Sequence, residues 1–169
     1  LISSHTYNDI EIISNSVKNT SIGVRINPIN LNSKNEIEEC IKRNVDVIML
    51  PMFRDKDEVV NCLNLIKDRC QLDLLFETPQ SLENIVRFPL SNIRYVHFGI
   101  NDLSIAFKKK VMFSMFFKEE VKDAADYLYK NLVKFGIGGI GAIGSKPFNP
   151  ELIYAGNLYL NSSRLLLSR

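Results

Sequence analysis

The chain has 169 residues, of which 46% are hydrophobic and 24% charged, the composition of an ordinary globular protein. A formal net charge of +2 is too small to favour nucleic acid or a membrane surface as a partner. No apolar run reaches the roughly 18 residues that a membrane span needs, and no stretch resembles a signal peptide. The cysteines at 40, 62 and 70 lack metal-ligand spacing, so we expect reduced thiols in a cytoplasmic protein.

Amphipathic helical patterns alternate with short apolar strand patterns along the whole chain. Ser33 is predicted to cap one helix, with Glu36 completing a capping box, and another helix lies around Leu82 and Ile85. The other predicted helices are residues 6–17, 55–70, 112–133 and 150–159. The predicted strands are residues 21–27, 46–51, 72–76, 94–99, 136–144 and 164–167.

Strict alternation of strands and helices, without a hairpin signal, indicates a parallel α/β sheet with right-handed crossovers. An open doubly wound sheet and a (β/α)8 barrel both satisfy this pattern, and periodicity alone does not choose between them. A complete barrel needs about 250 residues. Because the chain is shorter and begins on Leu1 rather than methionine, we expect one incomplete domain over residues 1–169.

Two carboxylates follow two consecutive predicted strands. Glu77 comes directly after the strand at 72–76, and Asp102 comes shortly after the strand at 94–99. Parallel strands joined by a helix lie side by side about 4.8 Å apart, so these acids are expected to converge at one edge of the sheet. Such a pair suits a divalent cation that is bound through oxygen and has positions open for substrate.

Six short motifs follow one another at compatible spacing over nearly the whole chain. They are residues 24–28 (VRINP), 47–52 (VIMLPM), 76–79 (FETP), 98–104 (FGINDLS), 138–141 (GGIG) and 163–169 (SRLLLSR). In this order they resemble the HpcH/HpaI aldolase and citrate lyase β-subunit family, within the phosphoenolpyruvate/pyruvate barrel superfamily. Each motif is weak alone, and the specificity comes from their common order.

The resemblance implies a (β/α)8 TIM barrel whose first two strands and last helix are missing from this chain. It implies a metal-dependent carbon–carbon lyase or aldolase that acts on a 2-keto acid or a related acyl thioester. Glu77 and Asp102 would bind Mg²⁺, Mn²⁺ or another divalent metal, and Arg25 would be catalytic and bind the substrate carboxylate. Gly99, Asn101 and Asp102 would also contact substrate. The resemblance further implies a homo-oligomer, either a trimer or a hexamer.

The residue that transfers the proton is the least determined part of this hypothesis. Some aldolases of the family use a histidine near the end of the second barrel strand, so His5 is the candidate, although an exposed histidine at a helix start is the simpler explanation. His97 lies within a strand and is expected to pack or hydrogen-bond locally. Where many relatives have a Glu-His pair near the last strand, this chain has Gly156 and Asn157.

Two alternatives to the lyase stay open. The lost Glu-His pair also fits a catalytically silent barrel that serves in binding or assembly, with the apolar segment Met112–Phe117 packed on the barrel or on a partner subunit. Phosphoryl transfer from phosphoenolpyruvate is the other alternative, although no phosphohistidine or nucleotide motif supports it. The glycines at 138, 139 and 141 do not follow the order of a phosphate-binding loop.

Overall fold

The computed structural model describes residues 5–140 and 150–167, in which helices and strands alternate as the sequence predicts. Six parallel strands form one sheet. They are Gly23–Arg25 (β1), Val47–Leu50 (β2), Gln71–Phe76 (β3), Tyr95–Gly99 (β4), Phe135–Ile140 (β5) and Arg164–Leu167 (β6). The α-helices are Tyr7–Ser16 (α1), Ser33–Ile41 (α2), Lys56–Ile66 (α3), Pro79–Glu83 (α4), Ile100–Ala106 (α5), Glu119–Lys130 (α6) and Pro150–Tyr159 (α7). Short 3₁₀ segments cover Ile85–Arg87, Leu90–Asn92 and Met112–Phe117.

The strand order decides between the two architectures that the sequence left open. The strands lie in the order β1-β2-β3-β4-β5-β6, and each pairs in parallel with the next one along the chain. A doubly wound sheet reverses its direction of growth at a switch point, and this sheet does not, so that alternative is excluded. Growth in one direction through right-handed crossovers puts the helices on one face, as in a β/α barrel. Closure into eight strands and the absence of terminal elements stay predictions.

The two faces of the sheet differ in chemistry because successive side chains of a strand point to opposite sides. The helix-covered face is apolar: Leu72, Leu74 and Phe76 of β3 join Val96 and Phe98 of β4 in the main hydrophobic core. The rings of Phe76 and Phe98 meet edge to face with centroids 5.7 Å apart. We call the opposite side the inner face. It carries the alternate residues of the same strands, namely Asp73, Leu75, Tyr95, His97 and Gly99.

Some predicted boundaries are wrong. Asn32 rather than Ser33 is the N-cap of α2, and the carboxylate of Glu36 accepts hydrogen bonds from the backbone and side-chain nitrogens of Asn27 (3.0 and 2.8 Å), so no capping box forms. The capping box fails because Glu36 is used to hold the loop after β1. The helix predicted for 112–133 is divided, since Lys118 has an extended backbone between the 3₁₀ segment and α6.

The remaining elements follow their patterns. Asp55 caps α3, accepting a hydrogen bond from the backbone N–H of Glu58 (3.1 Å), as its position before an amphipathic run predicts. The predicted strand at 136–144 is observed as β5, and its residues 141–144 lie outside the described ranges. So do residues 168–169 of the last motif. In the part of the chain that is described, no helix is long and apolar enough to cross a membrane.

Candidate active site

The groups of the candidate site lie at the carboxyl ends of the strands. Arg25 is the last residue of β1, Glu77 directly follows β3, and Asp102 lies in the first turn of α5, which begins where β4 ends. The nearby charge of Asp102 raises the pKa of Glu77 and the positive charge of Arg25 lowers it, so both groups act on the same carboxylate. The structure therefore brings these three side chains into one cluster, while their roles stay predictions.

The Glu77 carboxylate is buried, with 6% of the residue exposed. The pKa of Glu77 is raised to about 7, chiefly by burial and next by the nearby charge of Asp102, while Arg25 and the backbone N–H of Met52 oppose both effects. Two neighbouring carboxyl groups favour holding one proton between them, because their negative charges repel. Near neutral pH the pair is thus poised between a shared proton and two negative charges, which a cation would stabilise.

Thr78 fixes the chain at the point where Glu77 leaves β3. Its hydroxyl donates a hydrogen bond to the carbonyl of Phe53 (2.7 Å), which ties the end of β3 to the loop after β2. The same hydroxyl accepts from the backbone N–H of Ser81 (3.0 Å) and so caps α4, whose first residue is Pro79. The Thr-Pro pair after Glu77 is therefore a helix start that holds the acid at the rim of the sheet.

Met52 is a site residue that the sequence reasoning missed. It follows β2 and Pro51 in a left-handed backbone conformation (φ 56°), which is unfavourable for a side chain of this kind. In this conformation its backbone N–H acts on the Glu77 carboxylate and lowers the pKa of that acid. The contact depends on the main chain and not on the type of side chain, so no residue pattern indicates it.

Gly99 provides the space that Glu77 occupies. A Cβ atom at position 99 would lie 2.6 Å from Cγ of Glu77 and 3.2 Å from its Oε1. The backbone of Gly99 (φ −83°) is accessible to any residue, so the close approach of Glu77, not the backbone conformation, explains the glycine. The sequence resemblance assigned Gly99 to substrate binding, and the structure adds this steric reason.

The other predicted site residues are less closely connected with the carboxylates. Asn101 is exposed beside Asp102, and its carbonyl accepts a hydrogen bond from the hydroxyl of Ser104 (2.7 Å). His5 is exposed ahead of α1, and its charge acts on Asp9 within the capping arrangement of that helix. The predicted roles of Asn101 and His5 stay predictions.

Gly156 and Asn157 lie in α7 and contribute to the packing of that helix. A Cβ atom at Gly156 would lie 2.5 Å from the ring of Phe116, so the glycine admits that ring. The buried side chain of Asn157 donates to the carbonyl of Ile153 (2.8 Å) and accepts a hydrogen bond from the hydroxyl of Ser162. Both positions therefore serve the packing of this helix.

A second polar cluster lies on the inner face, nearer the amino end of the strands. Asp73 is 1% exposed, and Arg94 Nε donates to its Oδ1 at 2.8 Å, with a second hydrogen bond from Nη2 to Oδ2. His97 Nε2 lies 3.6 Å from the Oδ2 atom of Asp73. Among the described residues, the buried Nδ1 of His97 has no hydrogen-bond partner.

The donor set at Glu77 and Asp102 fits a hard divalent cation. No group of three or more His, Cys, Asp or Glu residues that could hold a metal exists within residues 5–140 and 150–167. Two carboxylates are, however, the usual protein contribution to Mg²⁺, which keeps several positions for water and substrate oxygens. The raised pKa of Glu77 is the observation from the structure that favours a cation here, since a cation would relieve the repulsion between the two acids.

Comparison with known proteins supports the fold. No family model matches the chain, and no curated protein matches its sequence. The crystal structure of an HpcH/HpaI aldolase from Desulfitobacterium hafniense DCB-2 matches with a TM-score of 0.68 at 15% sequence identity, covering 98% of this chain and 73% of that chain. At this identity the likeness shows the fold alone. The parallel α/β fold that the six motifs implied is therefore confirmed by its similarity to an HpcH/HpaI aldolase, and closure into a barrel stays a prediction.

Proposed function

We propose that the protein is a divalent-metal-dependent carbon–carbon lyase of the aldolase type, acting on a 2-keto acid or a related acyl thioester. The observation that carries the proposal is the coupled pair of Glu77 and Asp102 at the carboxyl ends of adjacent strands, with the pKa of Glu77 raised to about 7. Strongly perturbed acids in such positions are typical of active sites, and β/α barrels carry their active sites at this end. The aldolase fold of the structural neighbour supports the same reaction class.

Each residue of the cluster has a role in this proposal. Glu77 and Asp102 hold Mg²⁺ or Mn²⁺, and the ion would supply Lewis-acid stabilisation of the charge that develops on the keto oxygen. Arg25 binds the substrate carboxylate, because its planar fork matches two carboxylate oxygens. Gly99 keeps Glu77 in place, and Asn101 borders the substrate on the exposed side.

The test is the thermal stability of the purified protein with and without Mn²⁺ and oxalate. Oxalate mimics the planar enolate of pyruvate, and a ligand that binds only the folded state stabilises it by about 2.7 kcal/mol at one hundred times its Kd. We expect the melting temperature to rise with Mn²⁺ and to rise further with oxalate. Glu77→Gln and Asp102→Asn should abolish both increments.

The matched control is Glu83→Gln, which changes an exposed carboxylate on the helix that directly follows Glu77. It should keep the full increment of the wild type. If the wild type shows no increment with Mn²⁺ or Mg²⁺, or if Glu77→Gln keeps it, the proposal is wrong and the two acids are structural.

One observation favours a second function, that of a catalytically silent barrel used for binding or assembly. Gly156 and Asn157 are built into the packing of α7 against Phe116 and leave no acid or base at these positions. This function predicts metal binding without turnover of any 2-keto acid. Exchange of the methyl protons of pyruvate in D₂O with Mn²⁺ present would exclude it, because exchange requires enolisation.

A further inference from the structure

The ring of Phe116 lies in a notch on α7 that exists because residue 156 is a glycine. A Cβ atom at Gly156 would lie 2.5 Å from Cε2 and from Cζ of Phe116 and 2.6 Å from its Cδ2. The ring is buried, with 2% of the residue exposed, and the ring of Phe113 lies nearly parallel to it, with centroids 6.2 Å apart. Because protein interiors are close-packed, any displacement of this ring is passed on to the segment that carries it.

Phe116 belongs to the same connection of the chain as Asp102. The chain between β4 and α6 contains α5, which carries Asp102, and then the 3₁₀ segment Met112–Phe117. Helix α5 packs against this 3₁₀ segment, which in turn packs against α7. The backbone N–H of Lys109 donates to the carbonyl of Ser104 at 2.7 Å and holds the end of α5 to the turn that follows it. Asp102 and α7 are therefore connected through packed elements.

The position of Asp102 depends on this packing because α5 is too short to be stable by itself. Isolated helices shorter than about 12–15 residues are marginal in water, and α5 has 7 residues. Asp102 is exposed, and α5 is held to the core through the buried side chains of Ile100 and Leu103. Glu77, by contrast, is fixed directly at the end of its strand, by the helix cap that Thr78 forms beside it. Of the two acids, Asp102 is thus the one whose place is set by the packing of short elements.

A small displacement of Asp102 matters for a divalent cation. Mg²⁺ takes its oxygen ligands at about 2.0–2.1 Å in near-octahedral geometry, so it tolerates little change in ligand position. Residues that orient metal ligands without touching the metal typically contribute about 10–100-fold to its affinity. An element that shifts α5 would therefore change the affinity of the site without altering either acid.

We propose that Phe116, packed against Gly156, is a positioning residue of the metal site. By holding the 3₁₀ segment to α7 it holds α5 in place, and so sets the distance from Asp102 to Glu77. Phe116 acts through α5 and is not itself a metal ligand, since a phenyl ring offers no oxygen. This inference rests on the proposed function, because it requires a cation at the two carboxylates.

The test is the affinity of the purified full chain for Mn²⁺, measured by electron paramagnetic resonance of the free ion, together with the melting temperature of the metal-free protein. In Gly156→Ala the added Cβ displaces the ring of Phe116. We expect the affinity to fall about tenfold, the lower end of the range for residues that orient metal ligands. A role in stability alone would lower the melting temperature and leave the affinity unchanged, so an affinity within about threefold of the wild type overturns the inference.

A second substitution tests whether the loss passes through Phe116. Phe116→Leu in the Gly156→Ala background shortens the side chain that the new Cβ meets, so the 3₁₀ segment can return towards its place. We expect the double variant to bind Mn²⁺ more tightly than Gly156→Ala alone, because the effects of residues in contact are not additive. A double variant whose loss of affinity equals the product of the two single losses overturns the inference.

Phe116→Leu alone decides if Gly156→Ala does not fold. It leaves the notch at Gly156 partly empty and so loosens the contact with α7. We expect it to lower the affinity for Mn²⁺ by more than about threefold, within the range for residues that orient metal ligands. An affinity equal to that of the wild type overturns the inference.

Ala155→Gly is the matched control. Ala155 is exposed on α7 directly before Gly156, and glycine lowers the stability of a helix relative to alanine. The variant therefore weakens the same helix without placing an atom in the notch. Its melting temperature should fall while its affinity for Mn²⁺ stays within about threefold of the wild type. A loss of affinity equal to that of Gly156→Ala would overturn the specific role of Phe116.

The two proposals fail in different ways. A wild type that binds Mn²⁺ with an affinity that Gly156→Ala retains overturns the role of Phe116 and leaves the metal site standing. A wild type that binds no Mn²⁺ overturns the proposed function, and the role of Phe116 with it.

Discussion

Asp73 lies within β3 and Glu77 directly follows that strand, and the two acids differ in what surrounds them rather than in burial. Both are almost fully buried, at 1% and 6% exposure. Burial alone would raise the pKa of Asp73, but its hydrogen bonds with Arg94 and its contact with His97 outweigh burial and hold that pKa below its usual value. Burial and, after it, the nearby charge of Asp102 raise the pKa of Glu77 to about 7.

The surroundings of Asp73 are those of an acid that stabilises the fold, whereas the surroundings of Glu77 are those of an acid that can bind a ligand. Asp73 has a permanent cation in Arg94, so its negative charge is compensated in the folded chain. Glu77 has a second acid as its nearest partner, and Arg25 compensates it only in part. A buried acid whose charge is not compensated by its own chain is the one that gains most from a bound cation.

The largest effect on stability is expected at Asp73, whose negative charge is compensated by Arg94. Asp73→Asn leaves Arg94 without its carboxylate, and breaking a buried ion pair costs about 3–5 kcal/mol. Chemical denaturation should show this loss in the free energy of unfolding. Glu39→Gln is the matched control, since Glu39 pairs with Lys42 and Arg43 near the surface, where such pairs contribute about 1 kcal/mol or less. A loss under 1 kcal/mol in Asp73→Asn would contradict the structural role.

A smaller effect on stability, which depends on pH, is expected at Glu77, whose charge Arg25 compensates only in part. Because the folded pKa of Glu77 (about 7) lies above its unfolded value of 4.5, this group contributes stability to the metal-free protein that is full below pH 4.5 and is lost as the pH rises through 7. We expect the loss to be on the order of 2 kcal/mol. Urea denaturation from pH 5 to pH 8 measures it in the presence of a chelator.

Glu77→Gln should remove this dependence and make the metal-free protein more stable than the wild type at pH 8. Asp73 should give the opposite pH dependence of stability. Because its pKa is lowered in the folded protein, it contributes stability at pH values above its unfolded pKa, and this stability is lost as the pH falls. Equal pH dependence of the wild type and Glu77→Gln would show that Glu77 is not the group that titrates.

The smallest effect is expected at Gly99. A Cβ atom there would displace Glu77 rather than the backbone, so Gly99→Ala should lower the Mn²⁺ affinity about tenfold and change the melting temperature of the metal-free protein little. Electron paramagnetic resonance titration of free Mn²⁺ gives the affinity. Gly23→Ala is the control, because its Cβ would make an ordinary contact of 3.7 Å with Val47. Equal affinity in both variants would contradict the steric role of Gly99.

The sequence predicted the framework well because the strands are short apolar runs between clear amphipathic helices. The run at 46–51 became β2 and the run at 72–76 became β3, each shifted by one residue at most at its ends. The convergence of Glu77 and Asp102 follows from the same order, since both acids come after consecutive parallel strands. Periodicity could not choose the architecture, because the direction in which a sheet grows is a matter of strand order and not of local pattern.

The details that escaped prediction depend on contacts between distant segments. Glu36 binds Asn27 instead of capping its helix, and the backbone N–H of Met52 acts on Glu77 through a left-handed conformation that no residue type indicates. The approach of His97 Nε2 to Asp73 is likewise visible only in the folded chain. Local propensity carries no information on such pairs.

The sequential strand order also has a consequence for how the chain gains and loses structure. Every strand pairing joins one βα unit to the very next one, so no strand of the described sheet depends on a partner from further along the chain. A unit at the edge can then open without disturbing the units behind it. We expect the amide hydrogens of the three-residue β1 to exchange with solvent before those of β3 and β4. The edge strand could therefore be re-engineered without opening the part of the sheet that holds Glu77.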